Sequence, residues 1–217
     1  MHQSLCVCDA LPLLDVDTTL VVALHRDEER KTTNTGRLAA LCLRRAHIVV
    51  HGDRERPAEP PPFDAARAVV LFPSSDAQPL TPALASGGPL TLVVPDGNWR
   101  QADKMARRLA WMRDLPRVVL SDETPTSYRL RSEPRRGGLA TMEAIARALG
   151  VLHGDAVARA LDAAFTTVVE RTLFSRGRLA HDAVFGGLAP HVRADRPWQT
   201  SADDHVTAAE GPDPEQA

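Results

Sequence analysis

An apolar run that stops at a carboxylate limits this chain more than any other stretch. In Leu90–Met105, LTLVVPDGNWRQADKM, the residues Leu90, Leu92, Val93 and Val94 form a short β-rich run of the kind buried in a parallel sheet. Pro95 has no N–H to give a ladder, so the strand is expected to end there. Asp96 then stands outside the carboxyl end of a strand, which is where open α/β sheets hold their ligands. Asn98 and Gln101 make an asparagine version of the capping box, which starts a helix at Trp99. An Asp-Gly turn feeding a capped helix is also ordinary loop chemistry, so Asp96 taken alone reads equally well as a turn residue or as a working carboxylate.

The rest of the chain repeats the pattern. Thr18–Leu24, His47–Val50, Ala68–Phe72 and Arg117–Leu120 are further β-branched runs, and helical patterns lie between them. The expected fold is therefore α/β, a single domain with a largely parallel sheet flanked by helices. His25 ends the first run and reads as structural. The charged segment RDEERK follows, then Asn34, Thr35 and Gly36 ahead of a helical pattern. Backbone N–H groups at such a helix start hold a carboxylate or phosphate well, and the same residues serve equally as plain caps. The run at Ala68–Phe72 also stops at a proline, and Pro73, Ser74 and Ser75 make a second small polar loop suited to a ligand or merely to a turn. Between His51 and Arg67 the density of proline and charge reads as an exposed loop.

Basic residues cluster in two places. Arg100, Lys104, Arg107 and Arg108 share one stripe of the helix after Trp99, either as a solvated face or as a track for a phosphate backbone. Tyr128, the single tyrosine of the chain, is flanked by Arg129 and Arg131, with Arg135 and Arg136 beyond. Aromatic rings beside arginines suit single-stranded or looped RNA better than duplex DNA, so RNA is the expected partner and DNA is not. The formal net charge of −2 does not oppose this, because the distribution of charge decides more than its sum. Thr141 reads as the cap of another helix. Asp155 opens one more, with Val157, Leu161, Ala164, Phe165, Val168 and Val169 on its buried side and an end near Gly177.

At 217 residues the chain suits one substantial domain, and no run reaches the roughly 18 apolar residues a membrane span needs. A membrane partner is not expected. The N-terminus lacks the basic and apolar regions of a signal peptide, so a cytoplasmic site is expected, and a monomer is favoured. Three cysteines do not suggest a disulfide framework. Cys6 and Cys8 form a C-x-C pair, half of the four ligands of a structural zinc, with His2 as a further donor nearby. Cys42 falls on an apolar helix side, where a free thiol packs as a small core residue. From Asp195 the chain is polar, acidic and rich in Ala and Pro, and reads as a disordered tail through residue 217.

Taken in order, these pieces resemble the DTW-domain family, the tRNA-uridine aminocarboxypropyltransferases, over the span from Cys6 to Phe174. C-V-C-D at Cys6 looks like the end of the family's cysteine cluster. H-R-D-E at His25 with T-N-T-G-R-L at Thr33 looks like a first ligand loop, and F-P-S-S-D-A at Phe72 like a second. D-G-N-W at Asp96 is similar to the family's D-G-T-W, with Asn98 in place of the threonine. S-Y-R-L-R-S-E-P at Ser127 and L-A-T-M-E-A at Leu139 resemble the last shared block. The family's preceding C-x-x-C has no counterpart, which leaves the metal assignment open. On this resemblance residues 1–17 carry a partial cysteine cluster and 18–178 form the catalytic domain.

The resemblance implies a fold related to the knotted SPOUT class, S-adenosylmethionine as co-substrate and tRNA as partner. The implied reaction moves the 3-amino-3-carboxypropyl group to N3 of a uridine and releases 5'-methylthioadenosine. In it Asp96 accepts the N3 proton or binds the ammonium of the amino-acid moiety, and Trp99 shapes the pocket or stacks on a base. Asn34, Thr35, Gly36, Pro73, Ser74, Ser75 and Thr141 would hold the co-substrate. Arg100, Lys104, Arg107, Arg108, Tyr128, Arg129 and Arg131 would meet RNA. The rival readings are an rRNA-directed aminocarboxypropyltransferase, a SPOUT-like RNA methyltransferase and a non-catalytic RNA-binding module.

Overall fold

The structure is a computed structural model that describes residues 6–31, 34–53, 59–121, 124–130, 138–189 and 192. The tail from Asp195, Arg131, Arg135, Arg136 and His2 all lie outside the described residues. The chain divides into two compact units, Leu11–Phe165 and Met1–Ala10 with Thr166–Ala217.

The larger unit is built on a six-stranded sheet in the order β2-β1-β5-β3-β6-β4, every adjacent pair parallel. The strands are β1 (Thr18–His25), β2 (Ala46–His51), β3 (Ala68–Leu71), β4 (Gln78–Pro79), β5 (Leu90–Asp96) and β6 (Arg117–Val119). The helices are α1 (Arg26–Glu29), α2 (Gly36–Leu41), α3 (Ala83–Ser86), α4 (Trp99–Arg108), α5 (Thr141–His153) and α6 (Asp155–Ser175). The α/β class, the parallel sheet and the flanking helices are as the sequence leads one to expect.

Side chains alternate across a strand, so each inner strand feeds two cores. Val21, Ala23, Val70 and Val93 join Ala102 and Ala106 of α4 and Met112 on one face. Leu20, Val22, Leu24, Leu92 and Val94 are fully or nearly fully buried on the other, where α2 and α5 pack against each other. Cys42 lies in this interior as expected, and burial pushes its thiol up to about 11.

Two local expectations are corrected. β5 does not stop at Pro95 but continues to Asp96, paired with β1 through Ala23↔Pro95 and Leu24↔Asp96. The β3 ladder has already ended at Val70↔Val93, so a proline beyond it breaks no pairing on that side. Thr141 is not the cap of α5 but its first helical residue; Ala140 holds the cap position, and its side chain makes no capping bond. Instead Thr35, across the fold, accepts from the Met142 N–H at 3.4 Å, and satisfies one first-turn donor from outside the helix.

In the smaller unit Arg171, 2% exposed, is the central polar group. Its guanidinium donates to both Asp9 oxygens at 2.7 and 2.8 Å, to the Cys6 carbonyl at 2.5 Å and to the Gly187 carbonyl at 3.0 Å. A buried cation needs such full pairing, and the fork of arginine supplies the geometry. The N-terminal segment with Cys6 is thereby tied to the later part of α6.

One partly buried polar pair gives the larger unit a pH response. His153, at the end of α5, meets the fully buried Thr18 hydroxyl at 2.7 Å, and burial holds its imidazole below the ordinary value of 6.5. The unfolded chain takes up this proton near 6.5 and the folded chain only at lower pH. The stability is therefore full above that point and falls as pH drops through the folded value. Denaturant unfolding between pH 5 and pH 7.5 should show this acid loss, and His153→Gln should flatten part of it; an unchanged slope in the variant would rule His153 out as its source.

Candidate active site

Strand parity decides where Asp96 points. Leu92, Val94 and Asp96 alternate with Val93 and Pro95, so Asp96 belongs to the face covered by α2 and α5. There it is 5% exposed, at the carboxyl end of a central strand. Asn34 Nδ2 donates to its Oδ2 at 2.6 Å and the Thr141 hydroxyl donates to its Oδ1 at 2.6 Å. The carboxylate thus draws together the end of β5, the entry to α2 and the start of α5. Its place at the first turn of α5 adds the favourable field of a helix N-terminus.

Each donor is positioned in turn. Asn34 Oδ1 accepts from the Arg37 N–H at 3.0 Å, so the asparagine caps the α2 turn while its amide reaches Asp96. Gly36 is required by contact rather than by backbone angle. A Cβ built there would overlap Asp96 Oδ2, lie 3.0 Å from the Asp96 carboxyl carbon and sit 3.1 Å from Val22 Cγ1. On the other side of the turn the capping box is complete: Gln101 N–H donates to Asn98 Oδ1 at 3.0 Å, and Asn98 N–H donates to Gln101 Oε1 at 2.9 Å. Gln101 then donates to Asp27 Oδ2 at 3.0 Å, while His25 caps α1 by accepting from the Asp27 N–H at 3.2 Å. His25 is structural, as expected. Nearby His51 is kept below its ordinary value by burial and by the His25 and Lys104 charges.

Asp96 opens on a cavity of about 400 Å³, within the size range of small-molecule sites. Its apolar wall includes Leu71, Phe72, Val94, Val118 and Leu139, and its polar border includes Asn34, Thr35, Asn98 and Thr141. Besides Phe72, two further aromatic rings line it, each resting on a phenylalanine of the fold. Trp99 is tilted against Phe72 with centroids 5.9 Å apart, and Tyr128 against Phe165 at 5.6 Å.

The structure brings Asn34, Thr35, Asp96, Trp99, Thr141 and Tyr128 to this cavity, and Gly36 beside it. Of Pro73, Ser74 and Ser75, only Pro73 borders it. Pro73, Ser74 and Ser75 line a neighbouring depression with Asp76, Arg107 and Arg117. There the Ser74 hydroxyl bonds Asp76 and, with Arg117, holds that carboxyl below its usual value. Arg100, Lys104, Arg107 and Arg108 are all exposed along α4, away from its buried Ala102, Met105 and Ala106. Arg107 pairs with Asp103, and Arg129 is exposed beside Tyr128. Cys6 is half-buried and Cys8 exposed; the bond to Cys6 raises the Cys8 thiol above its ordinary value. No group of three metal-binding side chains occurs among the described residues.

Sequence reasoning missed two acids. Glu28, 3% exposed, lines the cavity and accepts from Lys31 Nζ at 2.5 Å. It was hidden in the charged run RDEERK, where nothing marks one acid as buried. Glu143, also 3% exposed, binds the segment before Tyr128. It stands three residues after Ala140, and because alanine lacks the side-chain acceptor of a capping box, nothing local in the sequence marks it.

Comparison with known proteins gives this geometry a context. The DTW domain family model matches residues 1–173. tRNA-uridine aminocarboxypropyltransferase 2 of Drosophila melanogaster is 31% identical over 161 residues, covering 68% of this chain. The chain spans only 62% of that fly protein's length. tRNA-uridine aminocarboxypropyltransferase A of Arabidopsis thaliana is 28% identical over 192 residues, covering 70% of each chain. Among solved structures the SAM-dependent rRNA:acp-transferase Tsr3 from Vulcanisaeta distributa aligns with a TM-score of 0.47 and 16% identity, covering 88% of this chain and 95% of its own.

Gly36→Ala tests how tightly the carboxylate is seated. The added methyl must displace Asp96 from Asn34, and overpacking of this kind costs about 1–3 kcal/mol. Urea denaturation should show that loss as a lower midpoint; a midpoint equal to that of the parent chain would mean Asp96 is free to shift.

Proposed function

The chain belongs to the DTW domain family, and on that premise we propose that it transfers the 3-amino-3-carboxypropyl group of S-adenosylmethionine to N3 of a uridine in tRNA. The observation that carries this reading is the convergence on one cavity of Asp96, Asn34 and Thr141, which come from three separate family-like motifs. We take residues 18–178, on a SPOUT-related parallel sheet, as the catalytic domain.

The cavity fits the co-substrate in size and in chemistry. Its apolar wall and aromatic rings suit a purine, and its buried carboxylate suits an ammonium. When bound, S-adenosylmethionine supplies a carbon activated by a sulfonium leaving group. N3 of uridine forms the new bond to that carbon as the carbon–sulfur bond breaks. The electron pair stays on sulfur in 5'-methylthioadenosine, and the N3 proton leaves to a base or to water.

Between the two roles open to Asp96, its surroundings favour positioning. Both oxygens accept a hydrogen bond at 2.6 Å, which holds the carboxylate in place and occupies lone pairs that a base would use. A fixed charge beside the reacting carbon would orient the amino-acid chain for in-line attack, and alignment of this kind removes much of a barrier. Trp99, braced on Phe72, shapes the wall beside it. The exposed stripe Arg100, Lys104, Arg107 and Arg108 leaves the same turn and would carry RNA phosphates, with Arg129 near Tyr128. The C-x-C pair could contribute two thiolates to a zinc ion in the smaller unit.

Nucleoside mass spectrometry of tRNA from cells with and without the protein should show 3-(3-amino-3-carboxypropyl)uridine only in its presence. Product on ribosomal RNA instead would redirect the assignment, and S-adenosylhomocysteine as by-product would make the protein a methyltransferase. Asp96→Ala should abolish transfer, and full activity in that variant would sink the assignment. Asp96→Asn separates the roles: an anchor loses affinity for S-adenosylmethionine in calorimetry, whereas a base loses kcat with affinity kept.

The basic stripe makes its own forecast. Arg100→Ala and Arg108→Ala should each weaken tRNA binding and lower the slope of log affinity against log salt by about 0.7–0.9, one phosphate contact apiece. Slopes identical to the parent would leave α4 a merely solvated face.

A further inference from the structure

We infer that Glu143, which does not border the cavity, is the positioning residue that sets its Thr126–Tyr128 wall for S-adenosylmethionine; the inference rests on the proposed reading of that cavity. Glu143 is an acid 3% exposed in the first turn of α5, and its two oxygens accept four hydrogen bonds. Oε1 takes the Ser127 N–H at 2.6 Å and the Ser127 hydroxyl at 2.9 Å. Oε2 takes the Thr126 hydroxyl at 2.5 Å and the Ala140 N–H at 2.9 Å. Ala140 starts the helix, so a single carboxylate joins the helix start to a loop lying elsewhere in sequence.

The connection runs on to the cavity. The Thr126 oxygen that donates to Glu143 also accepts from the Tyr128 N–H at 3.0 Å. Glu143, Thr126 and Tyr128 are therefore linked in series, and Thr126 and Tyr128 both line the cavity. One turn further along α5, Arg147 donates to the Thr124 carbonyl at 2.8 Å and to the Pro125 carbonyl at 3.2 Å. An acid and a base four residues apart on one helix thus grip successive residues of a segment that has no ladder of its own. The same helix supplies Thr141 to Asp96, so α5 sets two walls of the cavity from one rigid element. Bonds to a charged acceptor are stronger than neutral ones, which suits a clamp that must hold a loop against thermal motion.

This role predicts an effect on binding distinct from an effect on folding. Glu143→Gln keeps shape and size but replaces an acceptor oxygen by an amide that cannot take both the Thr126 and Ala140 donors. Thr126→Val removes the hydroxyl alone and leaves the other Glu143 bonds in place, while Thr126→Ser restores it. Tyr128 is the single tyrosine, so acetylation of tyrosine by N-acetylimidazole reports on that residue selectively. We expect Glu143→Gln and Thr126→Val, each shown by circular dichroism to be folded at the assay temperature, to acetylate several-fold faster than the parent. Both should bind S-adenosylmethionine about tenfold more weakly in calorimetry, the size of one lost bond to a charged group. Thr126→Ser should restore both values.

Should Glu143→Gln fail to fold, Thr126→Val against Thr126→Ser carries the same test. Parent-like acetylation and affinity in folded Thr126→Val overturn the inference. If the parent chain itself does not bind S-adenosylmethionine, the proposed function fails, and the claim that Glu143 serves that ligand falls with it. If the parent binds and the folded variants bind equally well, the claim for Glu143 fails alone.

Discussion

The larger unit is assembled around a buried carboxylate that needs donors from two helix starts. Taking a charge out of water is expensive unless its lone pairs are satisfied, and Asp96 is 5% exposed. Asn34 and Thr141 meet that need, and in doing so they fix where α2 and α5 begin relative to the end of β5. Gly36 has no side chain because the carboxylate occupies the space a Cβ would need. Thr35 completes the arrangement by taking an N–H of α5. A carboxylate bound this closely has a fixed position, and a fixed negative charge at the edge of a small-molecule cavity can orient a cationic group.

Two further acids and a buried cation follow the same rule. Glu143 is shielded by four donors, Glu28 by Lys31, and Arg171 in the smaller unit by Asp9 and two carbonyls. Glu28 and Lys31 are close in the chain, but Asp96, Glu143 and Arg171 mark joints between segments separated in sequence. The apolar interior supplies most of the driving force for folding, since the inner strands are buried on both faces. The charged joints contribute register and specificity, and the loops around the cavity depend on them.

How much of this could be read beforehand varied with the range of the interaction. The strands at Thr18, Ala68 and Leu90 were legible because a buried parallel strand is a short β-branched run bounded by turn residues. The Asn98–Gln101 capping box was legible because both partners are local. Thr141 was misread as a cap because its preference for helix starts is local, while its hydroxyl is engaged by Asp96, 45 residues earlier. Pro95 was read as a strand end because a proline's missing N–H is visible in sequence, but the length of the β3 ladder beside it is not. Ser74 and Ser75 have the chemistry of a ligand loop, yet the chain turns them to the depression beside the cavity.

The sequence by itself determined the α/β class, the strand-turn-helix unit at Asp96 and membership of a recognisable motif series, since these depend on periodicity, capping and short spacings. Only the tertiary structure decided which face Asp96 would occupy, which hydroxyls would reach it and which acids would be buried. The physical reason is that strand parity and helix packing act together over tens of residues. A side chain's worth as donor, cap or charge depends on what that packing places within hydrogen-bond reach, about 3 Å away.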